Sequence, residues 1–419
     1  MRRTVRYWST VCALAVCCIF RLRANAIEDL SIEEDIAGLE AQRKQVSLPD
    51  TEATRRWAIL PQIGYAPDTG PVIGAKFTHR NVLNQGVTLD AGGVYAAFSN
   101  KFDLNFVVEQ PHLLNDQLLI DVRGTFASDP QRYFFGLGNN EQGPDPASTN
   151  SFQNIAGAVT VGWRPKRTIA LNFSIGVRKV NIGEGHGLGH CGGIVPCPFT
   201  VEEFPDLTGV HGGLVNPFSL SLVYDNRDSV VRPTHGWRAI LKVAHTNKYL
   251  LSDFQFTRIV ADLSYVYSFG EGKYVLGIRG DGEGMAGPSN EIPYWELAEL
   301  GGEDTMRGFF PYRFFGKGRV LLNAEFRFYL FAFNFFKLWR VRFDGVVFGD
   351  GGRVFLSQKD ANNEFNFNTA LVGPIVSDFR YSYGVGLRIA LGEALVARID
   401  AGFSDEEKGL IYLSFGQTF

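Results

Sequence analysis

From Trp57 to the last residue the chain alternates apolar and polar positions with a period of two, in runs bounded by Gly, Asn, Asp and Pro. Between Phe102 and Gln110, Phe102, Leu104, Phe106 and Val108 alternate with Asp103, Asn105 and Glu109. Between Leu118 and Phe126, Leu118, Ile120 and Val122 alternate with Asp121 and Arg123. Ile259, Ala261, Leu263, Tyr265, Tyr267 and Phe269 alternate with Arg258, Asp262, Ser264 and Ser268, and Leu395, Ala397 and Ile399 with Arg398 and Asp400. Each run predicts a strand with one apolar and one charged face. A soluble sandwich has the same period, so alternation alone does not say which face is buried. Past the N-terminus no window approaches the ~20 apolar residues of a spanning helix, which excludes a helical membrane protein and leaves a transmembrane barrel open.

The two ends of the chain change that picture. Met1-Arg2-Arg3, the apolar run Val11–Phe20 and the small-residue site Ala24-Asn25-Ala26 read as an export signal cleaved after Ala26. Arg21 and Arg23 just past the apolar run are atypical, and Val16 before Cys17 does not suit a lipoprotein site. The other end, Ile411–Phe419, alternates up to a terminal phenylalanine, as expected of an outer-membrane barrel. Charge therefore belongs inside and apolar side chains outside, against lipid. Connections alternate short (114–116, 270–273, 392–393) and long (128–150, 183–213, 285–317, 351–378), which predicts about sixteen antiparallel strands with both ends in the periplasm. Residues 27–56 are charged and poor in aromatics, with a short helical pattern over Ile32–Arg43. The expected organisation is a signal peptide (1–26), a short periplasmic segment (27–56) and one barrel (57–419).

Composition narrows the function. The 419 residues carry a formal net charge of −3 with 20% charged side chains, which gives no electrostatic case for nucleic acid. With the signal removed, Cys191 and Cys197 are the cysteines left. In an exported chain this spacing favours a small, exposed disulfide ring over a metal site shared with His186 and His190. His235 and His245 sit near Ser229 and Thr246, but no motif orders a nucleophile with its base, so neither an enzyme nor a cofactor is expected.

One loop stands out. Gly301–Phe309 places Arg307 beside Gly308 between two alternating strands. Glycine allows close backbone approach and a guanidinium has no stable unpaired buried state, so a loop folded back into the lumen needs carboxylates on facing strands. Glu325 and Asp350 lie on the polar sides of the next two strands. Separately, Asp225, Arg227 and Asp228 with Pro233 and Gly236 read as a tight turn closed by an ion pair.

Met306–Phe309, Asn323–Phe326 and Phe348–Gly352 resemble, in order and spacing, barrel motifs of the BamA/TamA outer-membrane assembly and translocation superfamily. Asp225–Asp228 with Pro233 and Gly236 is similar to that family's periplasmic turn before its ninth strand, Tyr133–Asn139 to another signature, and Phe415–Phe419 to its ending. The resemblance covers Trp57–Phe419. It implies that Arg307 packs inside the barrel against Glu325 and Asp350 on strands twelve and thirteen. It also implies that Phe415, Gly416 and Phe419 form the signal read by the barrel-assembly machinery. Family members usually carry periplasmic POTRA modules, and residues 27–56 cannot hold one. The expected role is outer-membrane protein insertion or protein translocation in a Gram-negative bacterium, with lipid, a separate periplasmic protein or a client barrel as partners. The alternative is a surface antigen or passive channel that kept the barrel alone.

Overall fold

A computed structural model describes residues 57–114, 117–139, 145–185, 191, 196–335, 339–356, 379–391 and 395–415. Residues 1–26, expected to be an export signal, and residues 27–56 lie outside the described residues, as do Gly416 and Phe419. Sixteen antiparallel strands form the barrel. They are β1 (Trp57–Ala66), β2 (Gly70–Val82), β3 (Val87–Ala96), β4 (Lys101–Leu113), β5 (Leu118–Phe134), β6 (Ser148–Lys166), β7 (Ile169–Glu184) and β8 (Pro217–Asp225). The second half is β9 (Gly236–Thr246), β10 (Phe256–Phe269), β11 (Tyr274–Ala286), β12 (Gly318–Phe335), β13 (Trp339–Phe355), β14 (Arg380–Leu391), β15 (Leu395–Phe403) and β16 (Leu410–Phe415). Each strand pairs with the next, and β1 pairs back onto β16. Closure is what lipid demands, because an open edge would leave backbone groups with no partner in hydrocarbon.

Burial settles the question that alternation left open. Ile63, Ile73, Leu104, Ile155, Leu220, Ile259, Leu263 and Val385 are exposed on the outer surface, whereas Asp121, Asp262, Arg388 and Asp400 are buried inside. A soluble sheet shows the reverse. Aromatic rings gather at the ends of β9–β13 that carry the short turns: Trp237 lies 4.2 Å from Tyr265, Tyr274 lies 6.0 Å from Phe326 and Phe331 lies 4.6 Å from Phe343. This is the composition of an interfacial girdle.

The strands are longer on one side than the alternation predicts. β5, β6 and β7 have 17, 19 and 16 residues, well beyond the roughly 9–11 needed to cross. Residues 128–134 and 148–150, expected in a long loop, belong to β5 and β6. The register shifts between Asp129 and Arg132, so the ladder continues past Pro130 by a bulge. Above the membrane the code inverts: Phe134, Phe152, Val180 and Ile182 turn inward and build a buried apolar cluster with Tyr294, Trp295, Tyr312 and Phe315 of the 287–317 loop. That cluster closes the mouth. Short antiparallel strands Ala298–Leu300 and Phe314–Gly316 stiffen the loop itself.

Candidate functional site

The 287–317 loop enters the lumen through residues that tolerate unusual backbone. Gly301, Gly302 and Gly308 have φ of +121°, +90° and +137°. A Cβ on Gly308 would stand 2.8 Å from both the Phe403 carbonyl oxygen and Ser382 Cβ, so glycine is required for the tip to touch β14 and β15. The next residue back, Arg307, is completely buried. It donates from its backbone N–H (3.1 Å) and Nε (2.9 Å) to Asp350 Oδ2 and from Nη2 (2.7 Å) to Oδ1. Nη1 donates to Glu325 Oε1 and lies 3.5 Å from Asp400 Oδ2. The guanidinium stacks 3.6 Å above the Phe348 ring. Burying a cation is tolerable only when its donors meet charged acceptors in good geometry, and here they do.

The structure thus brings Arg307, Gly308, Glu325 and Asp350 together, within a larger lattice. Glu325 also accepts from Arg327 (2.9 Å) and Arg388 (3.0 Å). Arg388 reaches Asp400 at 2.5 Å. Arg398 donates to Glu303 (2.9 Å) and Asp304 (3.3 Å) of the loop and to Ser414 Oγ (2.9 Å). Asn323 Nδ2 bridges Asp350 Oδ1 (2.8 Å) and the Thr305 carbonyl (2.7 Å). The last strands add two direct ties: Ser404 Oγ donates to the Gly308 carbonyl (2.6 Å), and Tyr412 Oη to the Phe309 carbonyl (3.0 Å).

Sequence reasoning did not single out Arg388, Arg398, Asp400, Gly402, Ser404 or Tyr412 as anchors. Arg398 and Asp400 were visible as the charged face of their strand, and that phase was the available signal. Gly402 gave none: a Cβ there would fall 2.1 Å from the Arg307 carbonyl oxygen, a closeness known only once the loop is in place.

The other expected sites sit apart. Arg227 donates from Nε (3.1 Å) and Nη2 (3.0 Å) to the two oxygens of Asp225, both side chains being buried at the turn between β8 and β9. Asp228 accepts from the backbone N–H of Thr234 (2.8 Å), His235 (3.0 Å) and Ser229 (3.0 Å) and from Thr234 Oγ1 (2.5 Å). Partial burial pushes its carboxyl pKa up, but these four bonds outweigh it and hold it below the ordinary value. Gly236, at φ +116°, lets the chain pass the Arg227 backbone. Pro233 and Thr234 line a narrow gap that Arg327 and Arg388 also line. Cys191 and Cys197 form a disulfide with Cα atoms 5.2 Å apart.

One expectation needs correction. Both cysteines were expected to be exposed, yet each is only 2% exposed. The reason is local: Thr149 N–H donates to the Pro198 carbonyl (2.9 Å) and Ser148 Oγ meets Thr200 Oγ1 (2.8 Å), which folds the segment after Cys197 against β6. Across the seam between β1 and β16, Leu413 registers with Tyr65. Phe415 ends β16 opposite Ala397, while Gly416, Phe419, His186 and His190 lie outside the described residues. Among the described residues no group of His, Cys, Asp and Glu could hold a metal ion. What this geometry does is mechanical: it fixes a long loop to the inner wall.

A closed membrane barrel with its own long loop bound inside defines a class of outer-membrane protein. The Omp85 superfamily domain matches residues 81–419, and the chain belongs to the Omp85 superfamily. Members of this family are bacterial outer-membrane barrels tied to protein insertion or translocation. Among solved structures the fold is similar to BamA from Haemophilus ducreyi lacking POTRA domains 1–3 (TM-score 0.61, 13% identity, covering 93% of this chain and 83% of that one). It is also similar to CdiB from Escherichia coli (0.57, 12%, 96% and 73%) and CdiB from Acinetobacter baumannii (0.52, 9%, 87% and 60%). At these identities the likeness is one of fold. No curated protein matches the sequence.

Proposed function

We propose that this chain inserts or translocates other proteins at the outer membrane of a Gram-negative bacterium, using the seam between β1 and β16 as a lateral gate. The observation that carries this reading is the seam's poverty of pairing. Over its described residues, 410–415, β16 has one registered pair with β1, Tyr65 with Leu413, whereas it shares six with β15, from Ala397 with Phe415 to Gly402 with Leu410. A parted seam leaves polar backbone in lipid, which is costly unless a client strand pairs with it, and that cost drives insertion of a client barrel. Pro61, without a backbone donor, lies on β1. A separate periplasmic protein delivers the client, residues 1–26 direct export, and Phe415, Gly416 and Phe419 direct the chain's own assembly.

The test is a Tyr65→Cys, Leu413→Cys pair, with assisted folding of a small barrel measured in liposomes while the seam is locked and after reduction. Tyr65→Cys alone controls for reduction of Cys191–Cys197. Assistance should vanish when locked and return on reduction. Unchanged assistance when locked, or none in either state, removes the gate and favours a surface antigen or passive channel.

A further inference from the structure

Beneath the apolar mouth, on the lumen side of the loop, lies a second basic cluster that plays no part in holding Arg307. Glu296 of the loop is clamped by two arginines from opposite sides: Arg178 Nη1 donates to its Oε1 (2.8 Å) and Arg258 Nη2 to its Oε2 (2.7 Å). Arg178 is only 3% exposed. Its Nε is taken by Asn154 Oδ1 (3.0 Å) and its plane lies 5.4 Å from the centre of the Trp295 ring. Its second terminal nitrogen, Nη2, is buried and makes no hydrogen bond within the protein. The clamp borders a cavity of about 50 Å3, lined also by Lys242, Ser174 and Ser219.

We propose that this cavity is a binding site for a tetrahedral oxyanion of the phosphate class, held by Arg178, Lys242 and Arg258. Three observations converge. First, the wall carries three cations against one carboxylate, Glu296. Glu283 approaches Arg258 (3.2 Å) and Arg319 (3.4 Å) but does not itself line the cavity. Second, a buried guanidinium N–H is rarely left without an acceptor, and this one belongs to a fork whose geometry suits an oxyanion. Third, the space fits: at about 10–15 Å3 for each water-sized probe it takes a few water-sized atoms, as many as a tetrahedral oxyanion brings. Two serine hydroxyls on the wall supply neutral donors. Because Nη1 serves Glu296 while Nη2 serves the anion, binding does not compete with the clamp. It gives the open Nη2 of Arg178 an acceptor and steadies the 294–296 segment of the loop.

The experiment titrates the full chain in detergent with inorganic phosphate, and with chloride at equal ionic strength, by calorimetry. Phosphate should bind saturably and raise the melting temperature, and chloride should do neither. Lys242→Gln should weaken phosphate binding by about tenfold, the loss of one charged contact, and Arg178→Lys, which keeps the charge but loses the fork, should weaken it as well. Heat-modifiable migration on gels checks that each variant is folded. Glycerol 3-phosphate distinguishes the sources: equal affinity assigns the site to phosphomonoesters such as lipid headgroups, and binding of phosphate alone assigns it to the free ion. Absence of saturable phosphate binding, or the same affinity in folded wild type and both variants, overturns the proposal.

Discussion

The wall made by β12–β16 and the wall made by β1–β4 follow the same inside-out alternation but differ in how their charges are used. In the first, Glu325 meets three arginines, Asp400 meets three, and the loop tip is tied to the last strand through Tyr412. In the second, Lys76 pairs with the partly open Asp90, and Lys101 stands 3.4 Å from Asp129. Asp103 is only 3% exposed, yet neither carboxylate oxygen has a hydrogen bond. Alternation sets which way a side chain points; only convergence of several strands on one loop turns pointing into anchoring. The two walls meet at the seam. One edge of it, β16, is bound to the loop through Tyr412, and among the described residues no hydrogen bond of this kind ties the other, β1, to the loop.

The largest expected effect breaks the anchored wall. Arg307→Ala leaves Glu325 and Asp350 buried without their main partner and should cost about 3–5 kcal/mol, read as a lower melting temperature in heat-modifiability gels. Lys408→Ala, on an exposed loop, should change nothing; Lys317 is unsuitable as this control because it is buried and donates to the Gly287 carbonyl (3.3 Å). On the other wall, Asp103→Asn removes a charge that has no hydrogen bond and should shift stability by less than about 1 kcal/mol. Comparable losses for Arg307→Ala and Asp103→Asn would erase the distinction between the walls.

A smaller loss is expected from Gly402→Ala. Its new methyl meets the Arg307 carbonyl carbon and oxygen, backbone atoms that cannot rotate away, so the tip must back off from β15. Overpacking of this kind costs about 1–3 kcal/mol. Combined with Arg307→Ala it should add little, because both displace the same tip; full additivity in melting experiments would mean that Gly402 acts elsewhere.

Much of this is legible in the sequence. Period two with charge on one face, and an N-terminal stretch that reads as an export signal, are enough to expect a membrane barrel, and the order of the Arg307, Glu325 and Asp350 motifs points to the loop and its two facing strands. Three things were not legible, each for a physical reason. Asp400, Arg388 and Arg398 look like any lumen-facing residues, because sharing a carboxylate among strands depends on barrel curvature. Phe134, Phe152, Val180 and Ile182 break the polar-inside code, since above the membrane the sheet faces water outside and packs loop side chains inside. The seam register, Tyr65 with Leu413, is set by closure of the whole barrel and not by local alternation.

Unequal anchoring also predicts which edge of the seam yields. Tyr412 and Ser414 hold β16 to the Phe309 carbonyl and to Arg398, so under the proposed gate β1 is the strand expected to part. Backbone amides of Gly64 and Tyr65 should exchange with deuterium faster than those of Tyr412 and Leu413, because exchange reports local opening. Arg307→Ala should narrow that gap by freeing β16. Equal exchange on both sides in the wild type would contradict the asymmetry.

The smallest effect is expected at the turn far from both walls, where Asp228 gathers four hydrogen bonds but stays exposed to water. Its carboxyl pKa is lowered in the folded protein, because those bonds overcome the opposing effect of partial burial. The folded state therefore binds the proton less readily than the unfolded state. Stability from this group is fully present above the unfolded value of about 3.9 and is lost as pH falls through the lower folded value. Asp228→Asn keeps the shape and removes the titration. The melting temperature of wild type minus that of Asp228→Asn should be positive and flat from pH 7 to pH 5. It should then shrink toward zero as the medium is acidified below the ordinary carboxylate range. Solvent screening keeps the difference small, which is why Arg307→Ala must be far larger at every pH. A difference that grows on acidification would mean that Asp228 is held protonated in the fold, and the turn would then need another explanation.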